Sequence, residues 1–227
     1  MGKIKCLCQQ PLHPPKPIHE WNWAYIADHW VRVAAMFILI LTGIFIHTPF
    51  ITGGPNSSIM STMRFLHFVA AYTFIIGLVI RVYMAFFSKF DADWRDFGII
   101  RNLKNFTDVA FYYLFIKTTH KDYRKYNPLQ AFAYLFIAVV ILFSALTGAA
   151  LYHGNLFGFL KAPDSFRWVS TALGGESYTR IWHLLTMWIF IIFTLVHVYM
   201  ALMISLTKKD RTFSSIFLRY KCKKHTL

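Results

Sequence analysis

Residues 180–197 read RIWHLLTMWIFIIFTLVH, an apolar stretch with a histidine near each end. The apolar character continues to Leu206, so a span of about 181–206 is long enough to cross a bilayer, which takes about 20 residues. His183 and His197 stand fourteen residues apart. At 3.6 residues per turn this is close to four turns, so both imidazoles share one helix face, with an axial separation of roughly 21 Å. An ionisable side chain inside a membrane is costly, which makes each of these histidines a functional candidate. A single helix thus offers a nitrogen ligand at each of two depths.

Working outward, three more stretches have the length and hydropathy of a span, at about 25–47, 65–87 and 129–152. Turn residues separate them: Thr48-Pro49 and Gly53-Gly54-Pro55, then Asn127-Pro128, then Gly174-Gly175. The expected fold is all-α, an integral membrane four-helix bundle formed by residues 1–227 as a single membrane domain. The loop 88–128 mixes apolar and basic residues over Phe97–Lys117. It reads as an amphipathic helix on the membrane surface or as an extension of its neighbours.

Composition agrees. The 227 residues are 56% hydrophobic and only 15% charged, and the charges lie in blocks between the apolar runs. The net charge of +14 invites a nucleic-acid reading, but no soluble basic domain remains to carry one. Counting by side explains it instead. The N-terminal tail, the loop 88–128 and the C-terminal tail hold eighteen Lys and Arg, whereas the opposite side holds Arg64, Lys161, Arg167 and Arg180. The positive-inside rule places both termini in the cytoplasm. The polar, Pro-rich first twenty residues contain no h-region, so the first span is expected to direct insertion itself. Cys6, Cys8 and Cys222 read as tail thiols, and no C-x-x-C-H occurs that would attach a c-type haem.

Topology then pairs the histidines by depth. His29 begins the first span and His197 ends the fourth, so both are inner. His67 begins the second span and His183 begins the fourth, so both are outer. Two neutral imidazoles on opposite faces of one iron make a six-coordinate haem suited to electron transfer, with no open position. Two b-type haems, ligated by His29 with His197 and by His67 with His183, are therefore expected inside the bundle. Arg64 and Arg180 each precede an outer histidine by three residues, and Arg32 follows His29 by three, which places each on its histidine's face. These cations either neutralise haem propionates or snorkel to the headgroups. Gly43, fourteen residues after His29, shares that face at the outer haem's depth and lets a porphyrin approach the backbone, and Gly77 and Gly148 do the same or allow close helix packing. His47 and His153 lie at the outer boundary and read as interfacial.

At these residues the chain resembles the cytochrome b subunit of membrane-bound nickel–iron hydrogenases. The resemblance rests on His29-Trp30-Val31-Arg32 with Leu41-Thr42-Gly43 and on Arg64-Phe65-Leu66-His67 with Arg81-Val82-Tyr83. It rests most specifically on Arg180-Ile181-Trp182-His183 with Trp188, Phe193 and His197. It implies a periplasmic hydrogenase whose large nickel–iron subunit splits hydrogen. The iron–sulfur small subunit delivers electrons to the outer haem, and the inner haem reduces a quinone, usually menaquinone. Cytochrome b subunits of formate dehydrogenases look similar and remain an alternative. Neither a proton-relay transporter, which calls for an inverted repeat and broken helices, nor a haem-free anchor accounts for the paired depths.

By this topology a quinone site belongs at the inner side, near His29 and His197. It needs hydrogen-bonding groups beside an apolar slot. Tyr112, His120, Asn127 and Met200 are the candidates, with Tyr113 and Tyr126 nearby, and an aromatic belt at the interface is the competing role for the aromatics. On the outer side, Phe157, Phe159, Phe166 and Trp168 serve as anchors for a partner or as such a belt.

Overall fold

The computed structural model describes residues 17–19, 21–50, 58–87, 106–114, 116–117, 128–208, 212–218 and 220–222. In chain order the elements are β1 (Pro17–His19), α1 (Trp23–His47), α2 (Ser58–Phe87), α3 (Phe106–Tyr113), α4 (Pro128–Ala150), β2 (Asn155–Leu156), β3 (Leu160–Lys161), α5 (Ala162–Ala172), α6 (Glu176–Lys208), α7 (Thr212–Leu218) and β4 (Tyr220–Cys222). Helices α1, α2, α4 and α6 are long and apolar enough to cross a membrane, with window hydropathies of 2.0 to 2.4. Only 11% to 28% of those windows is buried within the protein. So much apolar surface facing outward belongs in lipid and not in water. The chain is a multi-pass, all-α membrane protein.

The ends of the spans follow local chemistry. Pro49 cannot continue α1 beyond Thr48, and Pro128 opens α4, where its missing N–H costs nothing. Helix α2 starts at Ser58, seven residues before the apolar run, and α6 starts at Glu176, five before it. Hydropathy marks where lipid begins, whereas a helix continues until a breaker stops it. For α6 the breaker is Gly174-Gly175, with φ of +90° and +112°. These angles close the end of α5, where the Gly175 N–H donates to the Ser170 carbonyl at 2.7 Å.

The chain forms two compact units. The first comprises Trp30–Ile80 and Phe132–Phe193. Its core takes residues from all four spans: Ala35 from α1, Ala70 and Phe74 from α2, Val140 and Ile141 from α4, and Phe190 from α6. Phe74 and Phe190 meet edge to face at 5.7 Å, while the alanines let the backbones come close. Segment 153–179 is more structured than a loop. It holds the β2–β3 hairpin, with Phe157 at φ +55°, and the amphipathic helix α5, which has Asp164 in its first turn and buries Ala162 and Val169. Phe157, Phe159 and Trp168 are exposed, and Phe166 is half-buried.

The second unit comprises Met1–His29, Arg81–Ala131 and Thr194–Leu227. Of the surface helix expected over 97–117, α3 covers Phe106–Tyr113, and residues 97–105 lie outside the described set. Its apolar face, Val109, Tyr112 and Tyr113, has helical i, i+3, i+4 spacing and packs on Met203 and Ile204 of α6. Asp108 pairs with Lys117. Strands β1 and β4 pair antiparallel, Pro17 opposite Cys222 and His19 opposite Tyr220, a tail-to-tail link that the sequence did not announce. It sets residues 17–19 beside residues 220–222. Cys6 and Cys8 lie outside the described residues.

Candidate functional site

In the first unit, α2 carries His67 and α6 carries His183, and the two rings face each other with centroids 6.3 Å apart and planes at 63°. In the second unit, His29 of α1 and His197 of α6 stand 6.4 Å apart with planes at 45°. An imidazole nitrogen binds a first-row metal at about 2 Å and lies about 1.1 Å from its ring centre, so two trans ligands of one iron have centroids about 6.2 Å apart. Both pairs match that separation. Edge contact between rings covers the same range, so the fit rests also on the surroundings of the rings.

Those surroundings are built on small residues. A Cβ at Gly148 would lie 3.1 Å from His183 Cε1, and one at Gly43 would lie 3.5 Å from His67 Cε1. Glycine therefore keeps the edge of each ring clear on the helix that faces it. The sequence reading put Gly43 on the His29 face of α1 at the outer haem's depth. In the structure its neighbour is His67, reached from α2. The residue before each glycine is a threonine. Thr42 Oγ1 lies 2.8 Å from His67 Nδ1, and Thr147 Oγ1 lies 2.9 Å from His183 Nδ1. Both threonines are buried, at 4% and 0% exposure.

Sequence reasoning quoted Thr42 within a motif but gave neither threonine a role, although the signal is there: Leu-Thr-Gly occurs at 41–43 and again at 146–148. Arg-x-x-His likewise occurs at 64–67 and 180–183. The chain thus contains a repeated module, a Thr-Gly helix followed by an Arg-x-x-His helix, once in α1–α2 and once in α4–α6.

The arginines separate into different environments. Arg180 Nη2 donates to Glu176 Oε1 at 2.6 Å, both side chains exposed, and Glu176 Oε2 also lies 3.8 Å from His153 Nε2. Arg64 is exposed and Arg32 half-buried. Arg81, which received no role from its place in the motif, is buried in the second unit with its guanidinium carbon 5.4 Å from the Tyr25 ring centroid. That geometry is a cation–π contact. His47 is exposed in the last turn of α1.

Of the quinone candidates, Tyr112 is buried in the second unit, and Met200, one turn after His197, packs against the same cluster. Tyr199 holds α3 there through a 2.9 Å hydrogen bond from its hydroxyl to the Tyr113 carbonyl. His120, Tyr126 and Asn127 lie outside the described residues.

Comparison with known proteins places the chain among relatives. The family model described as prokaryotic cytochrome b561 matches residues 20–219. The chain is 32% identical over 197 residues to the probable Ni/Fe-hydrogenase B-type cytochrome subunit of Azotobacter vinelandii, covering 83% of this chain and 81% of that one. It is 32% identical over 223 residues to the protein of the same name from Cupriavidus necator, covering 90% and 84%. It is 29% identical over 222 residues to the probable Ni/Fe-hydrogenase 1 B-type cytochrome subunit of Escherichia coli, covering 92% and 89%.

Proposed function

Because the chain belongs to the prokaryotic cytochrome b561 family, that of the Ni/Fe-hydrogenase B-type cytochrome subunits, we propose that it is the di-haem membrane subunit of a hydrogen:quinone oxidoreductase. It anchors a periplasmic nickel–iron hydrogenase through the small subunit. It carries electrons from that subunit's iron–sulfur clusters to menaquinone, and it does not itself split hydrogen. The observation that carries this reading is the occurrence of two histidine pairs, each at the separation that one iron requires.

When bound, haem b supplies one-electron exchange between ferric and ferrous iron. The protein supplies the rest. His67 and His183 would hold one iron, and His29 and His197 the other. Held by two imidazoles, each iron would supply electron relay and not bond chemistry. The apolar core of Phe74, Val140, Ile141 and Phe190 excludes water from the first unit. Arg32, Arg64 and Arg180 would balance propionate charge, Arg180 in competition with the Glu176 carboxylate it pairs with. The quinone site lies on the cytoplasmic side, where both termini lie, with Tyr112 and Met200 as candidates among the described residues and His120 and Asn127 as candidates from the sequence. Both assignments rest on charge asymmetry along the sequence.

The test is a dithionite-reduced minus oxidised spectrum of the purified protein, with haem counted per chain in alanine variants. The expected result is a b-type α-band and two haems. His67→Ala or His183→Ala is expected to remove one haem, and His29→Ala or His197→Ala the other. A chain without the band, or a His67→Ala variant that keeps both haems, sinks the reading.

A further inference from the structure

We propose that Thr42 and Thr147 are positioning residues for the His67–His183 haem, each fixing the tautomer and electron-donating strength of one axial histidine. The inference deepens the di-haem reading and rests on it. It starts from the single proton of a threonine hydroxyl. Thr42 Oγ1 lies 2.6 Å from the Ile38 carbonyl, four residues back on α1. Thr147 Oγ1 lies 2.9 Å from the Phe143 carbonyl, again four residues back on α4. A carbonyl oxygen can only accept, so each hydroxyl donates there. What remains on each oxygen is a lone pair. It faces Nδ1 of His67 at 2.8 Å and Nδ1 of His183 at 2.9 Å. A lone pair can be satisfied only by an N–H, so both rings carry their proton on Nδ1, and Nε2 is left unprotonated.

That is the tautomer a metal needs. An imidazole that binds iron through Nε2 gives its other N–H to an oxygen, which fixes the ring and raises its basicity. Here the oxygen is furnished twice by one device, a Thr-Gly pair on the facing helix. The threonine holds Nδ1, and the following glycine leaves the Cε1 edge clear, at 3.1 Å for Gly148 and 3.5 Å for Gly43. The threonines are buried, so water does not take over the role when a side chain is changed.

A more donating pair of imidazoles favours ferric iron and lowers the potential of that haem. Replacing threonine with valine keeps the shape and removes that acceptor; at His183 the Ser144 backbone carbonyl remains as a second acceptor, so the smaller effect is expected from Thr147→Val. Thr42→Val and Thr147→Val are each expected to raise the midpoint potential of the His67–His183 haem. A tenfold loss of ferric preference corresponds to 59 mV for a one-electron couple.

The experiment is a redox titration of the purified holoprotein with low-spin EPR of the ferric state, whose signal reports the angle between the ligand planes. The His67→Ala variant identifies which wave belongs to this haem. The expected result is a raised potential and an altered EPR signal for this haem in both valine variants, the other haem unmoved, and wild-type behaviour in Thr42→Ser and Thr147→Ser. If a valine variant loses the haem while its serine counterpart keeps it at the wild-type potential, the proposal stands as well. Valine variants with unchanged potential and EPR, or serine variants that behave as valine does, overturn it. Neither outcome touches the ligand assignment, which fails separately if His67→Ala retains both haems.

Discussion

Gly148→Ala adds one methyl group where the structure has no room for it. The new Cβ lies 3.1 Å from His183 Cε1, inside the 3.4 Å at which ordinary contact begins, so the ring must give by a few tenths of an ångström. The ring is not free to give, because its Nδ1 is held by Thr147, the residue before the substitution, at 2.9 Å. It either keeps that bond and bears the overlap or swings and weakens it. A lost hydrogen bond costs about 1 kcal/mol and an overpacked methyl about 1–3 kcal/mol. A penalty of about 1–2 kcal/mol on haem binding is expected, a five- to thirtyfold weaker hold. Helix propensity acts in the opposite direction, since alanine is favoured over glycine by about 1 kcal/mol in a helix interior. A loss of haem therefore does not come from a weakened α4. Gly43→Ala is the control, because its Cβ meets His67 at an ordinary 3.5 Å. The assay is haem retained per chain after graded detergent washing, read as pyridine haemochrome, with the thermal midpoint measured in parallel. Gly148→Ala should shed one of the two haems and Gly43→Ala should keep both. Equal retention in the two variants, or greater loss from Gly43→Ala, refutes the reasoning from ring contact.

Two further outcomes are expected. Among Tyr112→Phe, His120→Ala and Asn127→Ala, at least one should slow hydrogen-to-menaquinone turnover about tenfold or more while hydrogen still reduces both haems; three variants with normal turnover remove this group from the quinone site. A reporter fused to the C-terminus should be active only in the cytoplasm, and the native complex should copurify with a nickel–iron hydrogenase. A periplasmic reporter signal inverts the topology, and a copurifying formate dehydrogenase leaves the haem conduit intact while replacing the partner.

Four spans were legible in the chain because the membrane reads hydropathy one residue at a time, and each of α1, α2, α4 and α6 carries its own signal. Four histidines at two depths were legible for a related reason: position along a helix is a linear count, so His183 and His197 share a face without reference to any neighbour. What a side chain meets on the next helix is another matter, because it depends on the stagger and rotation of two packed helices, which no count along one helix contains. Counting from His29 set Gly43 at the depth of the outer pair, but that a Cβ there would meet the His67 ring is decided by how α1 packs on α2. Thr42 and Thr147 look inert in sequence, since a threonine in an apolar helix satisfies itself on the carbonyl four residues back. Only packing of α1 on α2 and of α4 on α6 turns the remaining lone pair toward a histidine. Helix α5 and the β1–β4 pairing were hidden for a similar reason, short elements being stabilised by what they pack or pair against and not by their own propensity. The residue types and depths were set by the chain's own chemistry, whereas the contacts that orient two of the four histidines were decided where the helices meet.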